Sequence, residues 1–280
     1  MGRRKLKTRE DFVRALRNGR GIGKGSNYDP WIGIRDVPSS GRSSLIYGLT
    51  VLREFETLSD LETYTFYPLD WKKNVIDIRE QFPVLPRDLA IGIAERYGIT
   101  YPNAPGTREP AVLSTDFLAT VFTKKCETYM PIECKYKSEL LIKRELDKLE
   151  IKRLFWAALG YKQLIVTEDE VDPVAAENLA FISSPLRGQL APTHAAQNPQ
   201  ELVRLVPPRT YTIESLVRLV RDVESVDEDV GRHILFHLIW HHGLKIDIGV
   251  SIQETGLISV QGWDADAIQA TQERIDANTA

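Results

Sequence analysis

Residues 114–123, Ser-Thr-Asp-Phe-Leu-Ala-Thr-Val-Phe-Thr, constrain this chain more than any other stretch. Their β-branched and aromatic content predicts a strand, and the run Phe117 to Phe122 calls for burial. The same strand carries a carboxylate, Asp116, which is costly to bury without a partner or a metal. A second strand is expected over 129–136, where Ile132 and Cys134 alternate with Glu133 and Lys135. Successive strand side chains point to opposite faces, so Glu133 and Lys135 share one face and the apolar pair takes the other. Pairing of the two strands brings one carboxylate from each beside an ammonium group.

The flanking periodicities predict what surrounds these strands. Helices are expected over 7–16, 58–66 (with Ser59 or Asp60 as N-cap), 86–97, 138–159 (closed by Gly160) and 173–181. Further strands are expected over 45–52, 75–78 and, as a buried one, 164–167. Mixed helices and strands in this order indicate an α/β or α+β architecture. Residues 183–209 are rich in Pro, Ala, Gln and Ser, as in a linker. Helices over 213–223 and 229–242, then strands over 245–250 and 257–260, suggest a small winged-helix-like module with a polar tail over 264–280. The expected organisation is a body over 1–180, a linker over 181–209 and a C-terminal domain over 210–280.

Composition narrows the class. With 42% hydrophobic and 27% charged residues, the 280-residue chain can bury a core and is neither fibrous nor wholly disordered. No run of about 20 apolar residues is present to span a membrane, and no apolar segment follows the basic start as in a secretory signal. Cys126 and Cys134 make no disulfide framework, which points to a reducing, cytoplasmic setting. The net charge of −3 is unevenly spread: residues 1–30 carry nine Lys/Arg against three Asp/Glu, and residues 161–280 carry nine against 18. A basic arm on a neutral-to-acidic body fits a phosphate-binding end or a solvated tail.

Two carboxylates and a lysine suit a divalent cation and a phosphodiester, because Mg²⁺ is held by one or two carboxylates together with waters and phosphate oxygens. Lys135 can hold the attacking water or offset developing charge. Glu62, on the helix over 58–66, is the third acid that completes such a centre. The competing reading of Glu133 and Lys135 is an ion pair on an exposed face. Gly19-Arg-Gly-Ile-Gly-Lys-Gly25 has the wrong spacing for a nucleotide phosphate loop and reads as a flexible basic segment. Arg17, Arg20, Lys24 and Arg42, in and around it, are the candidate DNA contacts. His233, His237 and His241 recur at helical spacing; zinc is one reading, but Phe236 and Trp240 mark that helix as packed core. Arg79 and Glu80 read as a structural ion pair or as DNA-positioning groups, Glu150 as an outer carboxylate, and Cys134 as packing.

Several longer strings carry a resemblance. Gly19–Gly25 with Tyr28-Asp-Pro-Trp31, Val37-Pro-Ser-Ser-Gly-Arg-Ser-Ser44 with Ile46-Tyr47, and Leu58-Ser-Asp-Leu-Glu62 lie in the first part. Val75-Ile-Asp-Ile-Arg-Glu-Gln-Phe-Pro83, Ser114-Thr-Asp-Phe-Leu118, and Lys148-Leu-Glu150 with Trp156 follow. In these the chain resembles the TnsA family, the endonuclease subunits of Tn-seven-type transposons, well over about residues 15–180 and in outline beyond. The resemblance implies a restriction-endonuclease-like catalytic domain of the PD-(D/E)xK type followed by a winged-helix-like domain. It places the family's helix glutamate on Glu62, its strand aspartate on Asp116 and its lysine on Lys135. The position two before the lysine is Glu133 here, where some relatives carry glutamine. The metal would be Mg²⁺, with Mn²⁺ able to substitute, held by Glu62, Asp116 and Glu133. The family implies cutting of the 5′ strands at transposon ends beside a TnsB-type DDE transposase and a TnsC-type AAA+ regulator. Assembly on the nucleoid is implied with it. A stand-alone restriction or repair nuclease and a non-catalytic DNA-binding assembly subunit are the rival readings.

Overall fold

In the computed structural model, residues 6–36, 42–124, 126–187 and 196–269 are described. The Val37–Gly41 part of the motif at 37–44, residues 1–5 of the basic arm, the centre of the expected linker and the end of the polar tail lie outside them. The chain divides into two compact units, 1–171 and 172–280.

The first unit contains α1 (Arg9–Arg17), β1 (Ser44–Tyr47), β2 (Glu54–Thr57), α2 (Asp60–Trp71), β3 (Val75–Pro83) and α3 (Arg87–Arg96). β4 (Ser114–Phe122), β5 (Glu127–Cys134), α4 (Lys143–Ala158) and β6 (Leu164–Val166) complete it. Four strands form one mixed sheet in the order β3-β4-β5-β6, antiparallel except for the parallel β5–β6 pair. β4 is therefore interior, as its apolar run requires. Its side chains divide by parity. Phe117, Ala119 and Val121 join Leu61, Phe66 and Leu69 of α2, and Phe55 of β2, in one core. Leu118 joins Ile151, Phe155 and Trp156 of α4, and Ala90 and Ala94 of α3, in the other. The sheet is thus covered on both faces, which makes the unit an α/β layer structure.

Several boundaries differ from the sequence reading for physical reasons. The strand expected over 45–52 stops at Tyr47: it is β1 of a hairpin, paired antiparallel with β2, and residues 48–53 make the connection. α2 begins at the expected Ser59 cap but runs on through Pro68 to Trp71. Proline usually ends a helix, yet here Leu69 is buried in the core and Asp70 accepts the N–H groups of Leu49 and Thr50 at 2.9 and 2.8 Å. Those contacts hold the last turn. The helix expected from 138 starts at Lys143, after a 3₁₀ turn over Glu139–Leu141, and Gly160 closes the segment with φ +86°. β6 is not the buried strand expected: it is an edge, with Leu164 and Ile165 exposed.

The second unit contains α5 (Pro173–Ser183), α6 (Pro199–Leu205), β7 (Thr210–Thr212), α7 (Ile213–Glu224) and α8 (Glu228–Trp240). β8 (Leu244–Ile246), α9 (Ile252–Thr255) and β9 (Leu257–Trp263) follow. α5 packs within this unit: its buried Asn178 donates to the carbonyls of Ile248 and Val250 and accepts the N–H of Ile252. α6 occupies part of the expected linker. β7, β9 and β8 make a three-stranded antiparallel sheet in that order. No helix among the described residues is long and apolar enough to cross a membrane.

One buried charge pair ties β2 to β3. Arg53 donates from Nη1 and Nη2 to the two carboxylate oxygens of Glu80, and from Nη2 to the Ile78 carbonyl. Burial pushes the Glu80 carboxyl above its ordinary range against these bonds. Removing one partner leaves the other charge buried and unpaired. Arg53→Met is expected to destabilise the first unit by about 3–5 kcal/mol, measured as a lower urea midpoint; an unchanged midpoint would contradict a structural role for the pair.

Candidate active site

Glu62 is placed by a helix start. Ser59 caps α2, its Oγ accepting the Glu62 N–H at 3.1 Å, and the Glu62 carboxylate in return accepts from Ser59 Oγ at 3.2 Å and the Leu58 N–H at 2.9 Å. The Ser59 side chain makes the N-cap bond expected of a serine there, while the Glu62 carboxylate bonds the Leu58 N–H and the Ser59 hydroxyl, and Glu62 is 7% exposed. Asp116 lies near the start of β4. Its Oδ2 accepts the Cys134 N–H at 2.8 Å and its Oδ1 a bond from Gln81 Nε2 at 3.3 Å. The register Phe117–Ile132 puts Glu133 of β5 opposite Asp116.

Glu133 is wholly buried, which removes the exposed ion-pair reading. Its Oε2 pairs with the ammonium of Lys152 on α4, and its Oε1 is buried without a hydrogen bond. Lys135, just past β5, is held by its N–H bond to the Val166 carbonyl, and its ammonium lies 3.7 Å from Glu139. Cys134 points the other way, with its Sγ 3.5 Å from Thr65 Oγ1 in the α2-side core, and burial raises its thiol pKa. It is packing.

The electrostatics show that the four groups act on one another. Burial, then the Asp116 carboxylate, pushes Glu62 up to about 8. Burial raises Glu133 to about 7, with Lys152 pulling against it and Asp116 adding to it. Burial would lower Lys135, but Asp116, Glu139, Glu133 and Glu145 outweigh it and hold the ammonium protonated. The fold therefore brings Glu62, Asp116, Glu133 and Lys135 into a single electrostatic neighbourhood.

Two further residues of this neighbourhood lie outside the sequence expectation. Lys152 falls between Leu149 and Phe155 on the inward stripe of α4, so a cation at core-facing spacing was its signal, as the lone carboxylate was for Asp116. Gln81 sits opposite Asp116 with φ +45°, a strained conformation for a non-glycine residue. Nothing in the string Ile-Arg-Glu-Gln-Phe-Pro announces this.

Other candidates are used elsewhere. Glu150 pairs with Arg153 at the surface. Arg79 pairs with Asp77 at 3.2 Å and lies over the Phe82 and Tyr129 rings, so Arg79 and Glu80 are structural. Arg17, Lys24 and Arg42 are exposed, whereas Arg20 is buried and paired with Asp36. The Gly19–Gly25 segment is pinned rather than free: the Gly25 N–H bonds to Asp77, and a Cβ on Gly21 would meet Pro83 at 2.4 Å. On α8, His233 and His237 are buried, and burial with His241 and His233 pushes His237 down to about 3, as for a neutral core histidine.

Among the described residues, no three His, Cys, Asp or Glu side chains are grouped closely enough to hold a metal by themselves. Mg²⁺ does not need such a cage; it is commonly held by one or two carboxylates, waters and phosphate oxygens. The unbonded, buried Oε1 of Glu133 beside Asp116 fits that demand.

Two comparisons place the chain beside known proteins. The family described as TnsA-like endonuclease N terminal matches residues 72–168, which include Asp116, Glu133, Lys135 and Lys152. The chain is also 39% identical over 189 residues to the transposon Tn7 transposition protein TnsA of Escherichia coli, covering 65% of this chain and 68% of that protein.

Without metal, Glu62 and Glu133 keep protons that an ordinary carboxyl, near 4.5, has lost. The folded state then binds more protons than the unfolded one between about 4.5 and about 8, so stability falls as pH rises through that window. Raising the pH from about 5 to about 8 is expected to lower the melting temperature of the metal-free wild type more than that of Glu62→Gln. Equal falls in the two proteins would contradict the burial of an uncompensated Glu62.

Proposed function

The chain belongs to the TnsA-like endonuclease family and is a DNA endonuclease, and from that premise we propose that it opens the 5′ strands at transposon ends in DNA transposition. The observation that carries the reading is that buried Asp116 lies opposite buried Glu133 across β4 and β5, with buried Glu62 and the protonated Lys135 in electrostatic reach of Asp116. In this reading the first unit is a restriction-endonuclease-like body of the PD-(D/E)xK type. The second unit is a winged-helix-like module, supported by α7 and α8 followed by the antiparallel β8 and β9. The protein works in the bacterial cytoplasm with duplex DNA, a DDE transposase of the TnsB type and an AAA+ regulator of the TnsC type.

Asp116 and Glu133 are the residues that would hold a divalent cation, Mg²⁺ or in its place Mn²⁺, with Glu62 alongside. Such a cation neutralises phosphate charge and acidifies a water. The protein's own groups supply the rest. Lys135 stays protonated, so it serves as a donor and a positive charge and not as a base. It can orient the attacking water and offset the charge that builds on phosphorus. Glu62, bonded through both oxygens at the start of α2, keeps its carboxyl at a fixed place, and a bound cation would favour its charged form. Exposed Arg17, Lys24 and Arg42 are available to DNA phosphates, which attract Lys and Arg without regard to sequence.

Strand-specific cleavage of transposon-end DNA in Mg²⁺, with and without the partner transposase, tests the reading. Partner-dependent 5′-strand nicks that disappear in Asp116→Ala support it. Cutting that ignores both partner and end sequence would make the protein a stand-alone nuclease. Wild type and Asp116→Ala behaving alike would reduce the proposed site to an ion-pair cluster. Lys135→Ala is expected to lower the cleavage rate by at least about 100-fold while the protein stays folded, because electrostatic stabilisers of a transition state contribute about that much; wild-type cutting by Lys135→Ala would sink its role.

A further inference from the structure

The two strand carboxylates are not held independently. Lys152, with only 8% of its side chain exposed, pairs with Oε2 of Glu133 and donates to the Ser114 carbonyl at 3.1 Å. Ser114 Oγ donates to Oε1 of Gln81 at 2.8 Å, and Gln81 Nε2 reaches Oδ1 of Asp116 at 3.3 Å. Asp116 Oδ2 then takes the N–H of Cys134, the residue after Glu133. One chain of polar contacts therefore runs from Glu133 to Asp116 and back, and Lys152 joins α4 to both β4 and β5 within it.

A buried lysine–glutamate pair whose work is structural alone would be expected to satisfy both carboxylate oxygens, since buried polar atoms are nearly always bonded. Here Oε1 of Glu133 is buried and unbonded. Gln81 also holds a strained backbone to reach Asp116. Resting on the metal-centre reading above, the geometry points to Lys152 as a positioning residue: it fixes Glu133 by one oxygen and leaves the other to take a divalent cation at a set distance from Asp116. Lys152 is not a ligand and does not touch the DNA. It acts through Glu133, as groups that orient metal ligands do.

The full chain tests this with two readouts, the rise in melting temperature with added Mg²⁺ and the Mg²⁺ dependence of end cleavage. Lys152→Met is expected to raise the half-saturating Mg²⁺ concentration by roughly 10–100-fold in both, the usual effect of losing a residue that orients a ligand. Lys152→Arg, which keeps the charge, is expected to recover most of it. Added to Glu133→Gln, Lys152→Met should shift half-saturation by no more than about twofold, because residues acting through one another are non-additive. Should Lys152→Met alone fail to fold, this double variant removes both charges together and Lys152→Arg keeps the pair, so the comparison remains. Lys152→Met with wild-type Mg²⁺ dependence, or losses that multiply in the double variant, would overturn the proposal. A wild type that neither binds Mg²⁺ nor cuts ends beside its partner would instead overturn the nuclease reading itself.

Discussion

Burying three carboxylates close together is the interaction on which this unit depends. Glu133 is fully enclosed, and Glu62 and Asp116 are nearly so. Burial raises the cost of ionising Glu62 and Glu133, and the Asp116 carboxylate adds to it. Lys152 offsets part of that cost for Glu133 from inside the core, and Lys135 offsets part for the group from the rim. Hydrogen bonds from the α2 cap, from Gln81 and from the Cys134 N–H take up further oxygens. What is left over is one buried carboxyl oxygen of Glu133 without a hydrogen bond, at a place where a bound divalent cation would stabilise the fold.

The scaffold is organised to bear that strain. The sheet is covered on both faces by apolar cores, so the carboxylates cannot relax outward without breaking packing. Trp156 Nε1 donates to Thr115 Oγ1 at 2.9 Å, fixing α4 against the residue before Asp116. The Arg53–Glu80 pair does the same for β3, one position before Gln81. The buried acids thus come from a helix start and two strands, elements rigid enough to hold charged groups at chosen distances.

Much of this was legible in the sequence because violations of burial rules are visible there. A carboxylate in an apolar strand and an alternating Ile-Glu-Cys-Lys string located β4, β5 and their shared charged locus, and the N-cap candidates Ser59 and Asp60 located the start of α2. Lys152 obeyed the same logic, a charge at a core-facing helical position, but its partner lies 19 residues away and only the fold shows the pair. Gln81 left no trace, because a positive φ at a polar residue follows from tertiary constraint and not from local propensity. Arg20 misled for a related reason: a basic residue in a glycine-rich segment looks solvent-facing until the Asp36 carboxylate is placed beside it. Pro68 and the hairpin β1–β2 were missed where packing overrode local signals.

The central claim is that these buried acids form a cation site. Calorimetric titration of Mn²⁺ into the full chain, compared with Asp116→Asn and Glu133→Gln, tests it most directly. The account predicts saturable binding by the wild type that each substitution weakens by at least about tenfold. Equal binding by all three proteins, or none by the wild type, would contradict it and leave the cluster as an ion-pair network inside the core.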